Sequence, residues 1–156
     1  MRRVLISALL LVLLPPDVAP AQRVSAADRA WRPFFSAFRA AVRRRDQAAL
    51  RGMMARDFFY HGSGGDENGD EDTRDEAFEF WSEPRLGAWE AFGRVLAQGA
   101  VRNTAMREPG NRRPSRVAPP AANSRRAIET NRVDWYAVFE FRGGRWYCTV
   151  FNQCCD

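Results

Sequence analysis

The chain has 156 residues and a formal net charge of +5 at pH 7, and all 24 of its basic residues are arginines. Because it contains no lysine, Schiff-base and lysine-nucleophile chemistry are excluded. The arginines are scattered among 19 acidic residues and no nucleic-acid-binding module is recognisable, so the charge does not indicate a nucleic-acid partner. The length suits one domain with a single hydrophobic core.

The N-terminus has the three parts of a secretory signal peptide. Residues 1–3 (Met-Arg-Arg) are charged at both arginines, residues 4–14 are strongly apolar, and residues 19–21 (Ala-Pro-Ala) form a small-x-small triplet. The apolar part is too short to span a bilayer, which takes about 20 residues. We therefore expect cleavage after Ala21, which leaves a single domain over residues 22–156. The mature chain is expected to be secreted or periplasmic, without membrane insertion.

Two helices are predicted at the start of the mature chain. Over residues 25–45 apolar side chains recur at the spacing of one helical face. These side chains are Trp31, Phe34, Phe35, Phe38 and Val42. Pro33 predicts that the regular helix begins near Arg32, because an interior proline removes a backbone hydrogen bond. Asp46 is the predicted N-cap of a second, shorter helix over residues 47–54.

The segment Asp57–His61 predicts a short strand, in which alternate side chains point to opposite faces. Phe58 and Tyr60 then share one face, and Phe59 and His61 share the other. This strand precedes a glycine-rich acidic loop.

Two further helices are predicted in the middle of the chain. Thr73 with Glu76 three residues later forms a capping box, so a third helix should begin there and run to Pro84. A fourth helical pattern covers residues 86–97. Prolines interrupt the pattern over residues 100–131, where only two brief strands are predicted.

The C-terminal part, residues 135–151, predicts a β-hairpin. Gly143 and Gly144 both tolerate positive φ, which suits a two-residue turn between runs of aromatic and β-branched residues. That turn sets one wholly apolar face, with the cross-strand pairs Phe141 and Trp146, Phe139 and Cys148, and Ala137 and Val150. The other face is mixed and pairs Glu140 with Tyr147, Val138 with Thr149, and Tyr136 with Phe151. The upstream helices are expected to cover the apolar face.

Three stretches of the chain form a combination that points to a known fold. They are Phe35 to Val42, then Asp46-x-x-Ala49-Leu50 leading to Asp57-Phe58-x-Tyr60, and finally Gly144-Arg145-Trp146-Tyr147 with Phe151. In this order they resemble the nuclear transport factor 2-like superfamily. The resemblance implies an α+β fold, in which N-terminal helices pack on a curved, mostly antiparallel sheet around a cone-shaped cavity. It assigns no reaction, because the superfamily includes isomerases, cyclases, dehydratases and members without chemistry.

The mouth of the cone, as the resemblance implies it, is a pocket lined by Tyr60, Trp81, Trp135 and Tyr147. Tyrosine and tryptophan combine an apolar body with one polar tip, which suits a small hydrophobic ligand. The alternative interpretation is that these four aromatics belong to the core. The first functional hypothesis is an exported protein that binds such a ligand in the cavity of the cone, with no chemistry established.

A second hypothesis is an enzyme of the isomerase, cyclase or dehydratase kind that uses acid–base catalysis. Asp57 or His61 would act as the general base, and Tyr60 would donate a hydrogen bond to an enolate-like oxygen. His61 is the only histidine of the chain, and a lone histidine is more often a surface residue. No cofactor is expected under either hypothesis.

A third hypothesis is a protein-interaction module that forms a homodimer through the outer face of the sheet. Tyr136, Val138 and Phe151 are the expected contact residues on that face. A cavity closed by side chains would favour this hypothesis. An open cavity with one buried carboxylate would favour the enzyme.

The acidic loop resembles the start of a calcium-binding loop, with oxygen ligands at alternate positions from Asp66 to Asp72. The match then fails, because Glu71 stands at the position of the turn glycine and Ala77 at that of the bidentate glutamate. A solvated loop is therefore the favoured interpretation, and no metal is predicted.

The chain has three cysteines, and their pairing is left open by the sequence. They are Cys148, Cys154 and Cys155. The hairpin register directs Cys148 into the core, so it is expected to be a buried free thiol. The remaining two are adjacent, and either a strained bridge between them or a link to another chain is compatible with the sequence.

Overall fold

The structure is a computed structural model that describes residues 25–60, 73–105, 110–130 and 132–153. Several features predicted from the sequence lie outside the described residues: the signal peptide, His61, the acidic residues 66–72, Cys154 and Cys155. The division into a signal peptide and one domain over residues 22–156 therefore stays a prediction.

The described residues form five α-helices, one 3₁₀-helix and five β-strands. The helices are α1 (Ala26–Arg44), α2 (Gln47–Met53), α3 (Arg74–Ser82), α4 (Ala88–Ala97) and α5 (Arg125–Glu129), with the 3₁₀-helix at Pro120–Ala122. The strands are β1 (Met54–Tyr60), β2 (Val101–Arg102), β3 (Ser115–Ala118), β4 (Trp135–Arg142) and β5 (Arg145–Gln153). The predicted α+β class, with helices on the N-terminal side, is confirmed.

The five strands form one mixed sheet in the order β1-β5-β4-β3-β2. The pairs β5–β4, β4–β3 and β3–β2 are antiparallel, whereas β1 and β5 run parallel. The sheet is not closed, so the cone shape implied by the resemblance stays a prediction. The parallel pair places β1, from the N-terminal half, beside the last strand.

Helix α1 begins at the N-cap Ser25, whose hydroxyl accepts a hydrogen bond from the backbone N–H of Asp28 at 3.1 Å. The prediction of a start near Arg32 is wrong, because Pro33 lies inside the helix. Pro33 is exposed, so the carbonyl that loses its donor lies on the solvent side, where water can replace the donor. The helix ends at Arg44, and its C-cap residue Arg45 adopts a positive φ of 53°.

The main hydrophobic core lies between helices α1–α4 and one face of the sheet. Phe38 of α1 contacts Phe139 of β4 edge to face, with ring centroids 5.5 Å apart. Phe92 of α4 stacks on Phe151 of β5 at 3.7 Å. The indole N–H of Trp146 donates to a backbone carbonyl at the start of α1 at 2.8 Å. The apolar stripe predicted for α1 therefore covers the sheet.

A smaller hydrophobic cluster lies on the opposite face of the sheet, beneath the 3₁₀-helix and α5. Its buried members are Val117, Ala122, Val133 and Val138. Beyond this cluster the same face carries side chains of mixed polarity, which we call the polar sheet face: Asp57, Phe59, Glu140, Arg142 and Tyr147. The two faces of the sheet therefore differ, since one is packed under helices and the other is partly polar.

The strand register follows the prediction near the turn and departs from it farther away. Phe139 lies opposite Cys148 as predicted, but Ala137 lies opposite Phe151 and not Val150. The register shifts because β5 has an extra residue at Thr149, which is the pattern of a β-bulge. Phe151 therefore points into the main core, and its predicted place on the outer face is wrong.

The predicted capping box at the start of α3 has a different role in the structure. The hydroxyl of Thr73 donates to the carbonyl of Phe58, and its backbone N–H donates to the carbonyl of Arg56 at 3.3 Å. Glu76 accepts a hydrogen bond from the Tyr60 hydroxyl at 3.0 Å. Helix α3 begins where it was predicted, but both residues bind β1 and the Thr73 side chain caps nothing.

Cys148 is a free and fully buried thiol, as predicted. Burial raises the pKa of the Cys148 thiol well above its usual value, because the thiolate would lose its hydration. The thiolate is the reactive form of cysteine. Cys148 therefore serves packing and not chemistry at neutral pH.

Asp28 connects the start of α1 to strands β2 and β3. The Ser25 hydroxyl donates to its Oδ2 at 2.8 Å, Arg102 Nη2 donates to the same oxygen at 2.7 Å, and Arg116 Nη2 donates to Oδ1 at 3.0 Å. The hydrogen bond from Ser25 and the two guanidinium groups outweigh partial burial, so they lower the pKa of Asp28 below its usual value.

We expect Asp28 to make the stability of the fold depend on acidic pH. A carboxyl with a lowered folded-state pKa stabilises the fold above its unfolded pKa of about 3.9, and this contribution is lost as the pH falls through the folded pKa. Thermal melts at several pH values should show a lower Tm for Asp28→Asn at neutral pH and a difference that shrinks below about pH 4. The exposed Asp134→Asn is the control, and a Tm difference for Asp28→Asn that does not vary with pH would contradict the expectation.

Candidate functional site

The two predicted catalytic residues within the described stretches, Asp57 and Tyr60, are not brought together. They lie on opposite faces of β1, where Asp57 is exposed and Tyr60 belongs to the main core. The Tyr60 hydroxyl donates to Glu76, and both oxygens of Asp57 accept from Arg142 Nη1 at 2.8 and 3.0 Å. Since their side chains point away from each other, Asp57 and Tyr60 cannot act on the same substrate atom.

The four predicted ligand-binding aromatics are divided between the two faces of the sheet. Tyr60 and Trp81 are buried in the main core, and Trp135 stacks on Phe151 at a centroid distance of 4.9 Å. Trp81 is 2% exposed and contacts the rings of Phe58, Phe78, Trp89, Phe92 and Phe151. Tyr147 lies on the polar sheet face. A ligand pocket formed by all four stays a prediction, while the structure gives Tyr60 and Trp81 a packing role.

A concavity of about 500 Å³ lies where the end of α2, the start of α3, β1 and the β4–β5 turn meet. We call it the arginine groove, because five of its lining side chains are guanidinium groups: Arg51, Arg56, Arg74, Arg142 and Arg145. Asp57 and Tyr147 also line it, beside the apolar Met54 and Ala55. Its volume falls in the range of small-molecule sites, about 300–1,000 Å³.

The β4–β5 turn explains how two of these arginines reach the groove. Gly143 and Gly144 have φ values of 55° and 87°, which side chains rarely tolerate, so the chain reverses within two residues. Arg142 and Arg145 are therefore directly opposite each other across the two strands. Side chains in such a pair share a face and lie about 5 Å apart at their Cβ atoms.

Carboxylates neutralise part of the positive charge in the groove. Arg51 forms an ion pair with Asp75. Arg142 donates through Nη1 to Asp57 and through Nε to Glu140 Oε2 at 2.9 Å. Partial burial opposes the charged form of Arg142, but the hydrogen bonds from its guanidinium to Asp57 and Glu140 outweigh this effect and raise its pKa. Arg142 is therefore a permanent cation between two carboxylates.

Two other guanidinium groups of the groove, those of Arg56 and Arg145, have no carboxylate partner among the described residues. Arg145 contacts Tyr147 instead, with its guanidinium carbon 4.6 Å from the ring centroid and its Nε donating to the Tyr147 hydroxyl. This contact holds the guanidinium in place without cancelling its charge. The groove therefore carries positive charge that an anionic ligand could balance.

The sequence does not indicate the groove, because its five arginines come from five separate elements. One local signal was present: Arg142 and Arg145 flank the Gly143-Gly144 turn, and any two-residue turn places them on one face. The contributions of Arg51, Arg56 and Arg74 depend on tertiary packing. Arginines that are scattered along the sequence are therefore gathered in one groove by the fold.

Within the described stretches, no group of three or more His, Cys, Asp or Glu side chains is placed to hold a metal ion. The calcium-like residues 66–72 lie outside those stretches. In the same part of the chain, no helix has both the length and the apolar character that crossing a membrane requires.

The chain matches no protein-family model, no curated protein and no solved structure. The resemblance to the nuclear transport factor 2-like superfamily therefore stays a prediction.

Proposed function

We propose that the chain is an exported ligand-binding protein of the nuclear transport factor 2-like superfamily, and that the arginine groove binds a small molecule with an oxyanion group. One observation carries this proposal. Arg56 and Arg145 face the same concavity of about 500 Å³ and lack a carboxylate partner among the described residues. The helices on the N-terminal side and the five-stranded mixed sheet on which they pack support the superfamily.

Arginine side chains are well suited to bind such a group. A guanidinium is planar and presents several N–H donors in a fixed fork, which matches the oxygens of phosphate, sulfate or carboxylate. Arg145 is already oriented by Tyr147, so less side-chain entropy is lost when it binds an anion. A ligand with one or two negative charges would balance the charge that Arg56 and Arg145 leave.

Binding is favoured over catalysis because the expected acid–base pair is separated. Asp57 and Tyr60 lie on opposite faces of β1, and Asp57 is engaged by Arg142. An isomerase or dehydratase that relies on these two residues therefore has little support in this geometry.

We expect the full chain to bind inorganic phosphate or sulfate in isothermal titration calorimetry at low ionic strength. Arg145→Gln should weaken this binding about tenfold or more, because one charge-assisted hydrogen bond contributes about 1.5–3 kcal/mol. Arg94→Gln is the matched control: it removes the same charge from an exposed position on α4, outside the groove. Its phosphate affinity should stay within about twofold of the unmodified chain.

Two outcomes would contradict the proposal. The first is that neither inorganic phosphate nor sulfate binds to the full chain at low ionic strength. The second is that Arg145→Gln and Arg94→Gln lose affinity equally, since the effect would then come from net charge and not from the groove.

A further inference from the structure

A second concavity adjoins the arginine groove on the polar sheet face. It has a volume of about 530 Å³ and lies over β1 and β4, beside the loop that precedes β3. We call it the sheet-face pocket. Asp57 and Arg142 line both this pocket and the arginine groove, so the ion pair between them forms a shared wall. One ligand can therefore contact both concavities.

The sheet-face pocket combines an aromatic surface with hydrogen-bonding groups. Phe59 is 46% exposed. Among the described residues it is the large hydrophobic residue that is exposed to solvent. Tyr136 contributes a second ring to the lining. The polar lining near these rings comes from Glu140, Ser115, Asn111 and Thr149. The Phe59 ring therefore offers an apolar surface beside the carboxylate and hydroxyl groups of the lining.

Glu140 keeps acceptor capacity for a ligand. Its Oε1 accepts from Asn111 Nδ2 at 2.9 Å and its Oε2 from Arg142 Nε at 2.9 Å, while Arg113 approaches to 3.8 Å. A carboxylate has about four lone-pair sites, so ligand hydroxyl groups can still donate to it. Its two hydrogen bonds also fix the position of the carboxylate. Glu140 is thus a preorganised acceptor on the floor of the pocket.

We propose that the natural ligand class is a sugar phosphate, with its phosphate in the arginine groove and its ring in the sheet-face pocket. This inference rests on the proposed function. A sugar ring has a flat apolar face of C–H groups that can pack on Phe59, and hydroxyl groups at its edge that can donate to Glu140 and Asp57. An alkyl phosphate would leave these acceptors unused. The shared wall at Asp57 and Arg142 places the two parts of such a ligand next to each other.

The test compares calorimetric titrations of the full chain with six probes. They are inorganic phosphate, butyl phosphate, free glucose, and a panel of glucose, galactose and mannose 6-phosphates. At least one sugar phosphate should bind about tenfold tighter than inorganic phosphate, while butyl phosphate should show no such gain. Phe59→Ala should remove the gain and leave the affinity for inorganic phosphate within about twofold, since Phe59 does not line the groove.

The conservative variant Phe59→Tyr keeps an aromatic surface and should retain the gain. The sugar inference is overturned, and the oxyanion proposal kept, if inorganic phosphate binds but no sugar phosphate binds more tightly. It is also overturned if butyl phosphate shows an equal gain, or if the gain survives in Phe59→Ala. Failure of every phosphate-bearing probe to bind would overturn both proposals together.

Discussion

Phe151→Ala is expected to lower the free energy of unfolding by about 3–5 kcal/mol, which is the usual loss for truncating a fully buried phenylalanine. Phe151 is 0% exposed and its ring contacts those of Trp81, Phe92 and Trp135. The truncation would leave a cavity between α4 and the sheet. Urea unfolding followed by tryptophan fluorescence measures the loss.

Val150→Ala is the matched control for this prediction. Without the bulge at Thr149, Val150 would point into the core and Phe151 outward, so the two variants distinguish the two registers. With the bulge, Val150 is only partly buried against the smaller cluster, and its truncation should lower stability by about 1 kcal/mol. A larger effect at Val150 than at Phe151 would show that the register continues unshifted.

Arg142→Gln is expected to have the largest effect on ligand binding, because Arg142 lines both concavities and its loss would leave Asp57 and Glu140 as uncompensated negative charges beside the bound anion. We expect a loss of phosphate affinity of about 100-fold, beyond that of Arg145→Gln. Stability should also fall by about 1.5–3 kcal/mol, since the Glu140 side chain is only 12% exposed and would lose its charged partner. Calorimetry and urea unfolding of the same protein sample measure the two effects.

Arg113→Gln is the control for Arg142→Gln. Arg113 also approaches Glu140, but at 3.8 Å, and its side chain is 59% exposed. Such an exposed pair contributes little, so stability should change by less than about 0.5 kcal/mol. Equal losses in Arg113→Gln and Arg142→Gln would mean that the position of Arg142 between the two carboxylates has no special role.

Local patterns predicted the elements of this fold well. Asp46 caps α2 as expected, with its Oδ1 accepting from the N–H of Ala49 at 3.0 Å. The Gly143-Gly144 turn and the pairs nearest to it also agree with the structure. Each of these features depends on residues a few positions apart, which is the range over which propensity and turn chemistry act.

Features that depend on distant residues were not predicted. The bulge at Thr149 lies in β5, which pairs with β4 on one side and with β1 on the other. The parallel β1–β5 pair joins strands from the two ends of the chain. Helix α5 is short and has no fully buried residue, so it has no hydrophobic pattern to detect.

The candidate site also combines features that depend on nearby residues with features that depend on distant ones. The opposite orientation of Asp57 and Tyr60 follows from strand alternation, so the sequence pattern itself argues against the two acting as a catalytic pair. The arginine groove could not have been derived from the sequence, because α2, β1, α3 and the β4–β5 turn meet only in the folded chain. The positive charge of the groove arises only when the tertiary fold brings these arginines together.

The contact between Thr73 and β1 also affects how the chain behaves at high concentration. β1 is an edge strand, and edge strands with free backbone groups can recruit a strand from another molecule and start aggregation. Thr73 occupies the carbonyls of Arg56 and Phe58, so two acceptors on that edge are already used. At the other edge, β2 has only two residues, Val101 and Arg102, which is too short to template an incoming strand. Both edges of the sheet, β1 and β2, therefore resist pairing with a strand from another molecule.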